Sequence, residues 1–224
     1  METISWSQAT CYDSCPKKWT YKYVDKIPPK PSKAMEQGSQ IHKRIEEYLV
    51  SRHPVLLDTH TNNASKVIDS LCPTTIAVEQ EVSKEIDGLK VHGFVDVILQ
   101  VFSGRIFVDW KTTLNGRKPK EMKEGHYKQL SLYGYLADAT ATDSLLVSYP
   151  QNNVGFFADY DPKHGEQVFD WVIRTADVIR YLKEQVSTGE EVQGRPGRYE
   201  CKYCDYKDIC PDSFEKQKRR LKGR

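Results

Sequence analysis

Three stretches of β-forming residues follow one another in the middle of the chain, each separated from the next by a turn dipeptide. The stretches are residues 76–86, 89–102 and 105–113, and the separators are Asp87-Gly88 and Ser103-Gly104. Such dipeptides favour tight hairpin turns between neighbouring strands. The sequence therefore predicts three consecutive antiparallel strands, which limits the chain to folds that contain a hairpin sheet.

Helical patterns surround this run of strands. Apolar residues recur every three or four positions in residues 36–51, 64–71, 121–139 and 166–186. Two more strand-like segments, residues 144–150 and 154–160, precede the last helix. This order predicts an α/β (α+β) fold with a central mixed sheet flanked by helices, because a repeating parallel fold would alternate strands and helices singly.

Size and composition restrict the class of protein further. A chain of 224 residues can bury one sizeable core, so we expect one main domain over residues 1–224. With 38% hydrophobic and 29% charged residues, the composition excludes a disordered or collagenous chain. No apolar run is long enough to span a membrane, and the first residues lack a secretory signal pattern. We expect a soluble, cytoplasmic protein without a membrane partner.

Charged side chains gather on the second and third predicted strands. Asp109 and Lys111 lie two residues apart and therefore project from one face, and a hairpin would bring Asp96 close to them. Two carboxylates can hold Mg²⁺ or Mn²⁺, and such an ion activates water for phosphodiester hydrolysis while a lysine orients that water. The competing explanation of an Asp-x-Lys triplet is a structural ion pair.

Polar residues on the neighbouring helices add to this group. His42 lies on the helix predicted at 36–51, and Gln129 and Tyr133 share one face of the helix at 121–139 because they are four residues apart. Individually, each is explained as an ordinary surface or packing residue. Their order along the chain is the informative feature.

The segments GSQIH, GFVD, VDWKT and QLSLY, in this order, resemble those of RecB-like nucleases of the PD-(D/E)XK superfamily. The likeness is to the compact iron–sulfur branch, which includes CRISPR-associated RecB-like exonucleases and the AddB nuclease domain, and it extends from Ser5 to Cys210. The resemblance implies a restriction-endonuclease-like core and a divalent-metal-dependent DNA exonuclease.

The resemblance also implies a role for each residue of the group. The implied ligands of Mn²⁺ or Mg²⁺ are His42, Asp96, Asp109 and the backbone carbonyl of Trp110. Lys111 matches the catalytic lysine, and Gln129 and Tyr133 match a QxxxY motif that contacts DNA beside the site. Asp109 stands where many relatives have glutamate, which the family pattern permits. An imidazole ligand suits Mn²⁺ better than Mg²⁺.

Six cysteines are distributed unevenly, and five of them lie near the ends of the chain. These five are Cys11, Cys15, Cys201, Cys204 and Cys210. The last three are one thiolate short of a four-ligand site, and the resemblance implies Cys15, which precedes a proline, as the fourth ligand of a [4Fe-4S] cluster. Cys11 is an alternative fourth ligand, and Zn²⁺ is an alternative to the cluster. We expect the remaining cysteine, Cys72, to be a packed core thiol.

The two ends of the chain carry clustered positive charge. Residues 1–35 and 195–224 would together form the iron–sulfur region, and the second segment ends in a basic tail at 216–224. Clustered cations favour a nucleic-acid partner, although a solvated terminus also explains a charged tail. Lysines and aromatic residues alternate in segment 17–23, which could stack bases along a strand or form a helix with its aromatic residues packed inward.

Together these patterns and the resemblance imply a stand-alone DNA exonuclease of replication, recombination, repair or phage DNA processing. No G-x-x-x-x-G-K-[ST] motif is present, so we expect any helicase partner to be a separate chain. The alternative is a non-catalytic nucleic-acid-binding subunit of a larger nuclease or CRISPR-adaptation complex. DNA binding without cleavage would identify that alternative.

Overall fold

The computed structural model describes residues 1–30, 32–53, 58–113 and 117–222. The strands in these ranges are β1 (Glu2–Ser5), β2 (Thr75–Ile86), β3 (Leu89–Val101), β4 (Gly104–Trp110), β5 (Ser144–Tyr149) and β6 (Val154–Asp159). The helices are α1 (Trp6–Ser14), α2 (Pro16–Tyr23), α3 (Lys33–Ser51), α4 (Thr59–Ser70), α5 (Glu124–Leu136), α6 (Pro162–Ser187), α7 (Arg198–Lys202) and α8 (Phe214–Lys222). None of these helices is both long enough and apolar enough to cross a membrane.

The strands form one mixed sheet. Strand β3 pairs antiparallel with β2 and with β4, β4 pairs parallel with β5, and β5 pairs antiparallel with β6. The strand order is β1-β3-β4-β5-β6, and β2 joins β3 outside this path. The predicted run of three antiparallel strands and the predicted mixed α/β architecture are confirmed.

The hairpin turns lie within one residue of their predicted positions. Asp87 and Gly88 form the turn between β2 and β3, with positive φ angles of 48° and 78°, as a twisted two-residue hairpin requires. The turn between β3 and β4 is formed by Phe102 and Ser103. It begins one residue earlier than predicted because Gly104 already pairs with Val101 as the first residue of β4.

The chain divides into two compact units. The first comprises residues 1–3 and 32–170, and the second comprises residues 4–31 and 171–224. Within these ranges, residues 31, 54–57, 114–116, 223 and 224 lie outside the described residues. The first unit holds β2 to β6 with α3, α4 and α5. The second holds α1, α2, α7 and α8, and helix α6 begins in the first unit and ends in the second.

The core of the first unit forms where α3 and α4 pack against the sheet. Its members are apolar and buried: Ile45, Leu49, Ala64, Ile68, Val97, Leu99, Ile106, Val108, Trp110 and Leu146. Helix α3 begins three residues earlier than predicted because the Ser32 side chain caps it, accepting a hydrogen bond from the Met35 amide at 3.2 Å. Burial of this apolar stripe, worth roughly 25 cal/mol per Å², fixes α3 against the strands.

Helix α1 of the second unit was not predicted, and α2 was one of the two alternatives for segment 17–23. The Ser5 side chain accepts a hydrogen bond from the Gln8 amide at 3.3 Å, and the Gln8 side chain accepts one from the Ser5 amide at 3.2 Å, so α1 begins with a capping box. Helix α2 begins at Pro16, a favourable first residue because its missing amide hydrogen has no helical partner.

The segment 17–23 lies wholly within α2, as a helix with an aromatic residue packed inward. Trp19 is 1% exposed, which agrees with the helical alternative for this segment. Lys17 is also buried, and its Nζ lies 3.0 Å from a carboxylate oxygen of Glu191. The basic tail at 216–224 lies partly in α8 and partly outside the described residues.

The expectation that Cys72 is a core thiol is wrong. Cys72 is exposed and has a positive φ of 47°. It follows α4 at the point where the chain turns towards β2, and the last buried residue of α4 is Ile68. Cys72 is therefore exposed in spite of its apolar thiol, because its backbone lies beyond the buried part of α4.

Asp143 joins β4 to the loop before β5, and we expect Asp143→Ala to lower the free energy of unfolding by about 1–3 kcal/mol. Its side chain is 4% exposed, and one oxygen lies 2.9 Å from Nη2 of Arg105. It also accepts hydrogen bonds from the amides of Arg105 at 2.6 Å and Thr140 at 2.9 Å, which alanine would leave unpaired. Urea unfolding followed by circular dichroism measures this loss.

Asp177→Ala is the matched control for that substitution. Asp177 also lies 2.9 Å from an arginine, Arg180, but its side chain is 60% exposed. An exposed pair contributes about 0–1 kcal/mol, so this variant should unfold nearly as the unchanged protein does. Equal losses for the two variants would contradict the role given to Asp143.

Candidate active site

Asp109 and Lys111 form the centre of the candidate site at the end of β4. The Asp109 side chain is 7% exposed, and its Oδ1 accepts a hydrogen bond from Lys111 Nζ at 2.9 Å. The Lys111 amide donates to the carbonyl of Ser148 at 2.8 Å, so the lysine backbone stays attached to the sheet beyond the last residue of β4. Carboxylate and ammonium groups therefore meet on a fixed piece of backbone.

Asp96 joins this centre from the neighbouring strand. Its Oδ2 accepts a hydrogen bond from the Trp110 amide at 2.6 Å. That amide immediately follows Asp109 along the chain, so the bond holds the Asp96 carboxylate beside β4. The predicted convergence of Asp96 with Asp109 and Lys111 is therefore present in the structure.

His42 approaches the same carboxylate from α3, with its Nδ1 3.6 Å from Asp96 Oδ2. Gly38 lies one turn earlier on α3, and a Cβ atom there would be 3.1 Å from Thr112 Oγ1. The missing side chain lets α3 lie close to the residues that follow β4. The glycine of the GSQIH segment thus has a packing reason, which is to bring His42 within reach of Asp96.

Gln129 and Tyr133 project from α5 towards the lysine. Gln129 Oε1 accepts a hydrogen bond from Lys111 Nζ at 3.1 Å, and Gln129 Nε2 donates to Tyr133 Oη at 3.2 Å. A Cβ atom at Gly93 would lie 2.2 Å from the Tyr133 ring, so the glycine of GFVD makes room for this tyrosine. In the structure, Gln129 holds the lysine in place and Tyr133 holds Gln129.

Burial and neighbouring charges shift the protonation of this group. Burial, followed by the nearby Asp96 charge, raises the pKa of Asp109 to about 6, although Lys111 opposes the rise. Burial alone would lower the pKa of His42, but the Asp96 carboxylate and then Asp109 outweigh it and raise that pKa. Burial raises the pKa of Tyr133 to about 12, so its phenol stays protonated at neutral pH.

Two residues at the site were not identified from sequence. His126, in the first turn of α5, has its Nδ1 3.1 Å from Tyr149 Oη, and burial followed by the charges of Lys111 and Lys123 lowers its pKa to about 4. Its position three residues before Gln129 was an available signal. Glu79 of β2 is the other; it is exposed, but partial desolvation and then the Asp96 charge raise its pKa.

The raised pKa of Asp109 should make the free energy of unfolding depend on pH. Because the folded chain binds this proton more tightly than the unfolded chain, stability falls as pH rises between the ordinary value of 3.8 and about 6. We expect Asp109→Asn to remove that fall. The free energy of unfolding of the variant should therefore increase relative to that of the unchanged protein as pH rises from 4.5 to 7. Urea unfolding in EDTA measures the difference. A relative loss with rising pH would contradict the assignment.

The donor atoms of the site fit a hard divalent cation in their chemistry. They comprise two carboxylates, one imidazole and a nearby backbone carbonyl, which suit Mn²⁺ or Mg²⁺. Asp109 Oδ2 is buried and accepts no hydrogen bond from the described residues, although Lys111 Nζ lies 2.7 Å away. As placed, no three His, Cys, Asp or Glu side chains among the described residues are close enough together to hold one metal ion.

Four of the terminal cysteines face one cavity of about 250 Å³ in the second unit. They are Cys15, Cys201, Cys204 and Cys210. The Arg195 amide donates to Cys15 Sγ at 3.4 Å, and burial raises the pKa of Cys204 and of Cys210. Cys11 is buried beside this group, and burial raises its pKa as well.

Comparisons with solved structures agree with the fold. The protein is similar to the solved structure of SSO0001, with 21% identity and a TM-score of 0.51, over 94% of this chain and 86% of that one. It is also similar to a protein from Eubacterium rectale named "Putative exonuclease", with 15% identity and a TM-score of 0.55, over 93% and 88% of the two chains. At these identities the likeness shows the fold alone. No curated protein matches the chain.

A family model supplies the stronger comparison. The model of the PD-(D/E)XK nuclease superfamily matches residues 3–73 and 57–211, which together span most of the chain. Both matched ranges contain elements of the candidate site, α3 with His42 in the first and the hairpin strands with α5 in the second. The chain belongs to the PD-(D/E)XK nuclease superfamily.

Proposed function

We propose that the protein is a divalent-metal-dependent DNA exonuclease of the RecB-like branch. The observation that carries the proposal is the position of Lys111 Nζ between Asp109 and Gln129, 2.9 Å and 3.1 Å from their oxygens. A structural ion pair needs no glutamine to aim its lysine. Aiming is required when the lysine must meet a reacting group.

The proposed ligands are His42, Asp96, Asp109 and the carbonyl of Trp110. A divalent cation bound there supplies Lewis acidity and lowers the pKa of water. Lys111 then donates hydrogen bonds to the scissile phosphate and stabilises its added negative charge. Gln129 keeps the lysine directed to that position. Asp96 is fixed by the Trp110 amide, so its carboxylate needs no reorganisation before the ion binds.

DNA as the substrate and exonuclease activity are the finer parts of the proposal. Nucleases of this superfamily generally use Mg²⁺ or Mn²⁺, and one protein of similar fold carries the name "Putative exonuclease". We propose that Gln129 and Tyr133 contact the DNA strand beside the site, and that a helicase or recombination partner, where one is needed, is a separate chain. Replication, recombination, repair and phage DNA processing all suit such an enzyme.

We further propose a [4Fe-4S] cluster held by Cys15, Cys201, Cys204 and Cys210, with residues 1–35 and 195–224 forming the cluster region. The position of these four thiols around one cavity supports the proposal. Zn²⁺ at the same thiolates, or Cys11 in place of Cys15, are the alternatives that metal analysis distinguishes. Thiols with raised pKa values would release protons on binding either metal.

Degradation of end-labelled linear DNA in Mn²⁺ tests the function. Single-stranded and duplex substrates, labelled at either end, would be compared with a covalently closed circle, with and without EDTA. We expect metal-dependent loss of label from the linear DNA only, and the end that shortens first gives the polarity. Cleavage of the circle would make the enzyme an endonuclease. Binding without cleavage under all conditions would favour the non-catalytic subunit.

A further inference from the structure

Glu79 lies directly opposite Asp96, where the pairing of β2 with β3 is interrupted. The ladder runs from Thr75↔Gln100 to Val78↔Val97 and resumes at Gln80↔Val95 in the same register. The omitted pair is therefore Glu79 with Asp96. Glu79 has a positive φ of 47°, a conformation that a non-glycine residue seldom adopts in a strand.

The interruption coincides with a change in what β3 packs against. Before it, Gly93 lies against Tyr133 of α5. After it, Val97 belongs to the cluster with Ile45 of α3. Glu79 and Asp96 therefore lie where the strand passes from one helix to the other, and both helices carry residues of the candidate active site.

Glu79 is exposed, and its carboxylate makes no hydrogen bond or ion pair with a lysine or arginine among the described residues. The charges that face it are the carboxylates of Asp96 and Glu46 and the imidazole of His42. Glu81, two residues further along β2, is instead paired with Lys90 at 2.8 Å. Like charges opposite each other in a strand pair destabilise that pair. The carboxylates of Glu79, Asp96 and Glu46 together place a net negative charge next to the proposed ion.

We propose that Glu79 is a further carboxylate of the metal site, which acts on the divalent cation by accepting hydrogen bonds from the ion's water shell. The proposal rests on the proposed nuclease function. A second observation concerns Asp109 Oδ2, which is buried and accepts no hydrogen bond from the described residues, although Lys111 Nζ lies 2.7 Å from it. Glu79 thus acts as a positioning residue that supports ion binding from outside the ligand set.

Calorimetric titration with Mn²⁺ alone, without DNA, tests the proposal on the full chain. We expect Glu79→Gln to weaken Mn²⁺ binding about tenfold, as loss of an outer-shell partner typically does. Glu81→Gln is the matched control, since it removes a carboxylate from the same strand, and it should bind as the unchanged protein does. Asp109→Asn, which removes a proposed ligand, should abolish measurable binding.

The outcomes separate the two proposals. Unchanged binding by Glu79→Gln together with lost binding by Asp109→Asn would overturn the role of Glu79 and keep the metal site. Unchanged binding by Asp109→Asn would overturn the metal site and, with it, the role of Glu79. Equal weakening by Glu79→Gln and Glu81→Gln would reduce the effect to net charge and overturn the specific role.

Thermal unfolding guards against a purely structural explanation. In EDTA we expect Glu79→Gln to melt no lower than the unchanged protein, because the substitution removes a repulsion. Added Mn²⁺ should then raise the melting temperature of the variant less than that of the unchanged protein. A lower melting temperature in EDTA with an equal rise in Mn²⁺ would mean that Glu79 serves the fold, and would overturn the proposal.

Discussion

Lys111→Ala should remove DNA cleavage while leaving the fold and DNA binding in place. Loss of one preorganised charge at a reacting centre lowers the rate by about 10²–10³-fold, or roughly 3–4 kcal/mol of transition-state stabilisation. Single-turnover digestion of end-labelled DNA measures the rate, and an electrophoretic shift in EDTA measures binding. Full activity in the variant would exclude Lys111 from the reaction.

Lys90→Ala is the matched control for this experiment. Lys90 is also ion-paired to a carboxylate, Glu81 at 2.8 Å, but it lies near the start of β3, whereas Asp96 lies in the middle of that strand. The control should cleave at the normal rate. A comparable loss in both variants would point to a general effect of positive charge on DNA affinity.

The protonation of Asp109 must be kept separate from the role of the lysine. Without Lys111, the buried carboxyl loses the cation that now opposes the rise of its pKa, so it would hold its proton to a higher pH. The assay should therefore be repeated at pH 8. Recovery at pH 8 would assign the lysine to keeping Asp109 ionised, whereas continued inactivity would assign it to the phosphate.

Cys204→Ser should abolish the visible absorption of protein purified without oxygen, reduce its iron content and lower its stability. The proposed cluster joins Cys15 to Cys201, which lie 186 residues apart along the chain. In the chain-entropy picture, closing a loop of that length contributes on the order of 5 kcal/mol. Cys204 lines the same cavity as the other three proposed ligands, so removing it should release most of that constraint.

Cys72→Ser is the control because Cys72 is exposed and lies in the other unit. It should keep the colour, the metal content and the melting temperature of the unchanged protein. If the protein is colourless and contains zinc, the site binds Zn²⁺ and the cluster proposal is wrong. Parallel Cys11→Ser and Cys15→Ser variants would identify the fourth ligand, since only substitution of the true ligand should lower the metal content.

The centre of the sheet and of the site could be predicted because their signals are local. Turn dipeptides delimit three strands, and the two-residue spacing of Asp109 and Lys111 predicts a shared face from strand geometry alone. His42 and Gln129 were found only through their order along the chain. The helices that carry them approach the strands at Gly38, against Thr112, and at Gly93, against Tyr133, where a side chain would not fit freely.

The residues that sequence reasoning missed depend on backbone conformation or on short local signals. The positive φ of Glu79 and its place opposite Asp96 arise from strand pairing, which no residue pattern specifies. Helix α1 has no regular apolar stripe, but its start is marked by Ser5 and Gln8 at capping-box spacing. That signal was present in the sequence and was overlooked.

Strand β4 lies inside the sheet, and this position has a consequence for how the enzyme loses activity. Its neighbours are β3, paired at Val97↔Val108, and β5, paired as far as Trp110↔Ser148. Amide hydrogens of an interior strand exchange with solvent mainly through global opening, whereas edge strands exchange through smaller local openings. Local opening of the edge strand β6 should therefore leave Asp109 of β4 in place, and the proposed chemistry should be lost only when the sheet opens as a whole.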